Sequence, residues 1–289
     1  MSDLLTTSAH HTEKIAGFEL FWRQGGPAEA PAIVLLPGHP SSSHAYIGLI
    51  ERLATRGWQV IAPDYPGYGF SAAPAGTAWT FDLLAEVTNA LLEHLGLDRY
   101  ALYMFDFGAP VGMRIATAHP ERITGLISQN GNIAVEGLGD AVAPLGAWWE
   151  DRGGQQPTVD AFLSSAGTRM QWEAGLRDPA AADPALWSLD AALLAQPERH
   201  AAAESLLWDY QTNLAAYPAW QAYLAQRRPP VLAIWGARDP FFVPPGAEAF
   251  RAHQPEAEIV LLDTGHFALV EELDTIATHV DRFLQRVQR

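Results

Sequence analysis

The chain has 289 residues, of which 48% are hydrophobic and 18% charged, enough for a sizeable core in one large domain or two modest ones. Its 18 basic and 33 acidic residues leave a net charge of −15, which repels phosphate backbones and anionic surfaces, so neither nucleic acid nor membrane is an expected partner. With no cysteine, disulfides, thiolate nucleophiles and zinc–thiolate sites are excluded.

Residues 1–14 carry no apolar signal segment, and the apolar runs fall far short of a membrane span, so a cytoplasmic protein is expected. Residues 15–23 read as strands able to form a hairpin. Residues 32–36 (AIVLL) are a continuous apolar run, the pattern of a buried parallel strand. A helix over 44–56 and a strand over 59–62 follow. Residues 80–95 form an amphipathic helix, with Thr80 as N-cap and Gly96 as its stop. Residues 100–105 are a strand, 108–119 a helix with Pro110 in its first turn, and 123–129 another strand. Further strands lie at 231–235 and 258–262, and a last amphipathic helix near 274–288. This alternation predicts a mostly parallel sheet covered by helices on both faces.

Between 133 and 227 the strand runs vanish. The stretch reads as short helices separated by proline breaks, and it holds six of the ten tryptophans. A core of residues 1–132 and 228–289, interrupted by a helical lid of residues 133–227, is expected.

In open α/β sheets, ligands bind at the carboxyl ends of the strands. Three strand ends carry reactive groups. The strand at 100–105 runs into Asp106, then Phe107, Gly108 and a helix, the layout of a nucleophile elbow. The strand at 231–235 leads to Asp239, and that at 258–262 to His266. The order is nucleophile, acid, histidine. No G-x-S-x-G occurs, so a serine esterase is not expected. An aspartate there attacks an sp³ carbon and leaves an aspartyl ester. His266 then activates water, Asp239 orients His266, and the backbone N–H groups of His39 and Phe107 form the oxyanion hole. Blander roles compete: Asp106 as a helix cap, Asp239 as a turn opener.

These segments resemble α/β-hydrolases of the epoxide hydrolase and haloalkane dehalogenase branch, over nearly the whole chain. Leu35-Leu36-Pro37-Gly38-His39-Pro40 is similar to their H-G-x-P oxyanion loop, and Asp64-Tyr65-Pro66-Gly67-Tyr68-Gly69-Phe70-Ser71 to their D-x-P-G-x-G-x-S segment. Phe105-Asp106-Phe107-Gly108 stands where they have H-D-W-G, and Asp239-Pro240 and Gly265-His266-Phe267 match their acid and base segments. The resemblance implies an α/β-hydrolase fold with an eight-stranded, mostly parallel sheet and an inserted helical cap. It implies no metal and no cofactor, only a small apolar substrate and water, in a monomer or homodimer.

The departures bear on the reaction. Pro37 and Phe105 each replace a histidine of the pattern. Phe107 replaces a tryptophan whose N–H serves the leaving halide in dehalogenases, and phenylalanine has no donor. Trp208-Asp209-Tyr210-Gln211-Thr212-Asn213 is similar to the lid motif bearing the tyrosine that protonates an epoxide, which makes Tyr210 the candidate acid. A second lid tyrosine is expected near 145–150; Trp148 and Trp149 stand there instead, as candidate substrate contacts through their indole N–H groups. An epoxide hydrolase is the leading expectation, a haloalkane dehalogenase the second. A catalytically silent fold that only binds an apolar ligand is a third, since fold alone does not give function.

Overall fold

The computed structural model describes residues 9–288. Strands β1 (Ala9–Ile15) and β2 (Phe18–Gly25) form an antiparallel hairpin turning at Ala16 and Gly17, both with positive φ. The hairpin is therefore longer than residues 15–23. Its first strand is an exposed edge, and an edge strand shows no apolar alternation in sequence. β3 (Ala32–Leu36), a helix α1 (Ile47–Ala54) entered through a short turn of 3₁₀ helix, and β4 (Gln59–Pro63) follow. Then come α2 (Phe81–His94), β5 (Tyr100–Phe105), α3 (Gly108–Ala118) and β6 (Ile123–Gln129). Thr80 caps α2 by accepting the Leu83 N–H.

Six helices separate β6 from the next strand: α4 (Ala143–Glu150), α5 (Arg152–Phe162), α6 (Ser165–Glu173), α7 (Pro184–Leu194), α8 (Pro197–Asp209) and α9 (Gln211–Arg227). Pro184 and Pro197 open their helices, where a missing N–H costs nothing. Pro157 and Pro218 are not breaks; they lie inside α5 and α9. The chain closes with β7 (Val231–Gly236), α10 (Pro245–His253), β8 (Glu258–Leu262) and α11 (Leu269–Val287). The sequence pattern leaves α10 unassigned and begins α11 late, because the latter is kinked at Glu272.

The eight strands form one sheet in the order β1-β2-β4-β3-β5-β6-β7-β8, parallel from β4 onward. Alternate residues of the central strands sort to opposite faces, as a period of two requires. Val34, Leu36, Leu102 and Met104 pack with α2 and α3 on one face, while Ile33, Leu35, Ala101 and Tyr103 pack with α1 and α11 on the other. Both faces being covered explains why these strands are continuous apolar runs. Gly108 lets α3 start hard against β3: a Cβ there would lie 2.3 Å from the Leu36 carbonyl oxygen. Among the described residues, no helix is long and apolar enough to cross a membrane.

Candidate active site

Asp106 caps the end of β5 with φ at +49°, a left-handed backbone that L-residues rarely adopt. That turn lifts its side chain out of the sheet. The His39 N–H donates to Asp106 Oδ1 at 2.6 Å, and the Phe107 N–H is near enough to the same carboxylate to favour its charged form. The two backbone donors expected from the sequence thus converge on Asp106. The His39 loop is held by Asp64, whose carboxylate accepts the Ser43 N–H at 2.8 Å and the Phe70 N–H at 2.7 Å. Gly69 makes this possible: with φ at +50°, a Cβ there would fall 2.0 Å from Asp64 Oδ2.

His266 and Asp239 arrive from the ends of β8 and β7. His266 Nδ1 lies 2.7 Å from Asp239 Oδ2, and His266 Nε2 lies 3.9 Å from Asp106 Oδ2. All three side chains are buried. Asp239 is further fixed by the Phe241 N–H on Oδ1 (2.7 Å) and by Asn130 Nδ2 on Oδ2 (2.8 Å). Asn130, at the end of β6 with φ at +48°, also exchanges hydrogen bonds with the Gly236 backbone. The sequence offers only a strand-end hydrogen bond for Asn130. Its bond to the acid spans 109 residues and has no local signature, though its place at the end of a central strand marks it as near the site.

Electrostatics follow from burial. Asp106 is pushed up to about 6, because desolvation penalises its charge more than His266 and the two N–H donors favour it. Burial alone lowers His266, but the charge and hydrogen bond of Asp239, with the charge of Asp106, carry it above its usual value. His39 is held neutral, down to about 3, by burial and by the nearby His266.

A cavity of about 460 Å³ opens above Asp106. Its wall is almost wholly apolar, from Val142, Leu145, Phe162, Leu207, Phe241 and others, and its reactive polar groups are those of Asp106, His266, His39 and Tyr210. Phe107 lines it as a carbon face, edge-on to Phe81 at 4.9 Å between ring centres. Tyr210 sits at the junction of α8 and α9 and packs on Phe81 and Phe107. Trp148 and Trp149 do not line the cavity, contrary to the sequence expectation. The Trp149 N–H donates to the Leu207 carbonyl at 3.0 Å while its ring stacks on Tyr210, and the Trp148 N–H donates to Gln156 Oε1 at 3.1 Å. Both indole donors are already engaged, and the Trp149 ring backs Tyr210 while Trp148 packs edge-on to Trp208. Among the described residues, no cluster of His, Asp and Glu has the arrangement of a metal site.

The α/β hydrolase fold family model matches residues 31–273. An uncharacterized hydrolase of Saccharomyces cerevisiae is 37% identical over 276 residues, covering 94% of this chain and 95% of that protein. A haloalkane dehalogenase of Mycolicibacterium paratuberculosis is 28% identical over 236 residues, covering 74% of this chain and 70% of that protein. Among solved structures, a haloalkane dehalogenase of Bradyrhizobium elkani superposes with a TM-score of 0.81 at 20% identity, covering 97% of this chain and 99% of that one. An epoxide hydrolase, CorEH, superposes with a TM-score of 0.79 at 19% identity, covering 96% and 99%. The matched span contains Asp106, Asp239 and His266, and the chain belongs to the α/β-hydrolase fold family.

Proposed function

We propose that this hydrolase opens a small apolar epoxide through a covalent ester on Asp106, and that helices α4–α9 act as the cap over its pocket. The observation carrying this reading is the pairing of Asp106 with a phenol: one apolar cavity holds a carboxylate beside an imidazole, and Tyr210 in its wall. In the first step an Asp106 oxygen attacks a ring carbon, the carbon–oxygen bond breaks, and its electron pair goes to the epoxide oxygen. Tyr210 gives that oxygen a proton. A general acid of this kind contributes about 10²–10⁴-fold.

Alkylation prepares the second step. Esterified Asp106 has no charge, so one of the causes holding a proton on His266 disappears. His266 takes a proton from water, the hydroxide adds to the ester carbonyl, and the His39 and Phe107 N–H groups receive the oxyanion. Asp239 holds the imidazolium. The diol leaves, the carboxylate is restored, and the proton on His266 returns to the phenol that protonated the epoxide oxygen.

Dehalogenation is the second reading, supported by the dehalogenase relatives and by the same nucleophile. It is disfavoured by Phe107, which offers no N–H to a departing halide, and by the engaged Trp148 and Trp149 donors. Tyr210→Phe separates the two. Epoxide turnover is expected to fall about 10²-fold or more, with bromide release from a bromoalkane largely spared. Wild-type protein that releases bromide briskly and leaves epoxides untouched would make dehalogenation the function.

A further inference from the structure

Behind Tyr210 stands a second phenol. Tyr217 lies in α9 and is buried, and its hydroxyl accepts a hydrogen bond from Asn132 Nδ2 at 3.3 Å. That hydroxyl lies close enough to the Tyr210 hydroxyl for each to act on the other's proton. Asn132 is held by its own loop: Nδ2 also donates to the Ala134 carbonyl at 2.6 Å, and Oδ1 accepts the Ala134 N–H at 3.3 Å. Since Asn132 donates, the Tyr217 oxygen is the acceptor there, and the Tyr217 proton is left for Tyr210. The Tyr210 proton is then left for the cavity, which Tyr210 lines and Tyr217 does not.

We propose that Tyr217 is the positioning residue of a two-phenol relay, turning the Tyr210 proton toward the substrate and passing its own proton to Tyr210 as Tyr210 protonates the epoxide oxygen. This rests on the epoxide reading above. The balance closes within the site. The carbon–oxygen bond breaks as the aspartyl ester forms, the alkoxide takes the Tyr210 proton, and Tyr210 takes that of Tyr217. The negative charge removed from Asp106 then rests on Tyr217. The proton His266 later draws from water makes good the phenol, so epoxide plus water gives diol.

The environments agree with that end point. Burial pushes Tyr217 up to about 12, opposed by its hydrogen bonds to Tyr210 and Asn132. Burial carries Tyr210 well above the phenol range, with the charges of Tyr217 and Asp106 adding to it. The charge settles on the phenol that stands outside the cavity wall, facing the Asn132 amide donor. A directed row of this kind also removes the need for a second tyrosine near 145–150, where this chain has only engaged tryptophans.

The test uses the full chain in a His266→Gln background, so that ring opening is read directly as growth of the Asp106 adduct by intact mass with styrene oxide as probe. Tyr217→Phe should slow adduct growth at least ~10-fold. A difluorotyrosine at 217, equal in shape but more acidic, should restore the rate and move the alkaline limb of its pH profile to lower pH. Adduct growth within twofold of the parent in Tyr217→Phe would overturn the relay. So would a slowed Tyr217→Phe whose difluorotyrosine counterpart shows an unshifted limb, since that is the behaviour of a structural residue. If the parent with Tyr217 intact forms no adduct, the epoxide reading itself has failed, and the relay falls with it.

Discussion

His266→Gln is expected to arrest the enzyme after the first step of the proposed reaction: ring opening should proceed, ester hydrolysis should not, and Asp106 should accumulate a stable adduct. Glutamine keeps some of the side chain's bulk but cannot take a proton from water, so steady-state turnover is expected to fall about 10²–10⁴-fold. The adduct carries the full mass of an epoxide, because opening is an addition. A bromoalkane would instead add its alkyl group less one hydrogen. Intact-protein mass spectrometry reads both. Because Asp239 and Asn130 remain bonded to one another, the pocket floor should survive the substitution. A variant that turns over at the wild-type rate, or that forms no adduct with any epoxide or bromoalkane, would remove His266 from the role assigned to it. The second outcome would favour a fold that binds an apolar ligand without reacting.

Asp106→Asn is expected to give a protein with no turnover and a more stable fold. The carboxyl is pushed up to about 6 in the folded protein against about 3.8 in an exposed chain, so the native state holds the proton more tightly than the unfolded one. The sign follows: the stability that goes with the neutral form is fully present below the unfolded value and is lost as the pH rises through about 6. At pH 7 a gap of about two units corresponds to roughly 3 kcal/mol, which an uncharged asparagine does not forfeit. Asparagine can keep the bond from the His39 N–H through its oxygen and present its amide toward His266. Denaturant unfolding should show wild type and variant nearly equal at the acid end of the range, diverging up to neutrality. The same raised value predicts that wild-type ring opening weakens as the pH falls through about 6, because only the carboxylate attacks. A variant less stable than wild type at pH 7 would contradict this account of the buried charge. The cost borne by wild type is the reactivity of the site: a carboxylate stripped of water by an apolar cavity is both unstable and a better nucleophile.

How much of this was legible in the sequence depends on the kind of interaction. The parallel strands are readable because burial on both faces writes them as unbroken apolar runs, and the candidate site residues because they stand at strand ends. β1 is not, being an exposed edge whose Ala9–Ile15 carries no apolar alternation. The tryptophans of α4 show the limit of reading by residue type. Their N–H groups were free in the sequence and proved occupied in space, by a carbonyl and an amide that no spacing rule pairs with them. Asn130 and Tyr217 carry no sequence signal for the converse reason. Each acquires its partner only when segments 109 and 85 residues apart are brought together.

The central claim is the ester on Asp106, and heavy-oxygen water tests it most directly. Over many turnovers of an epoxide in labelled water, hydrolysis at the ester carbonyl places the label in the Asp106 carboxylate, and mass spectrometry of the peptide containing Asp106 should show it. Label found only in the diol, with that peptide unshifted, would mean that water attacks the substrate carbon itself and that Asp106 is not the nucleophile.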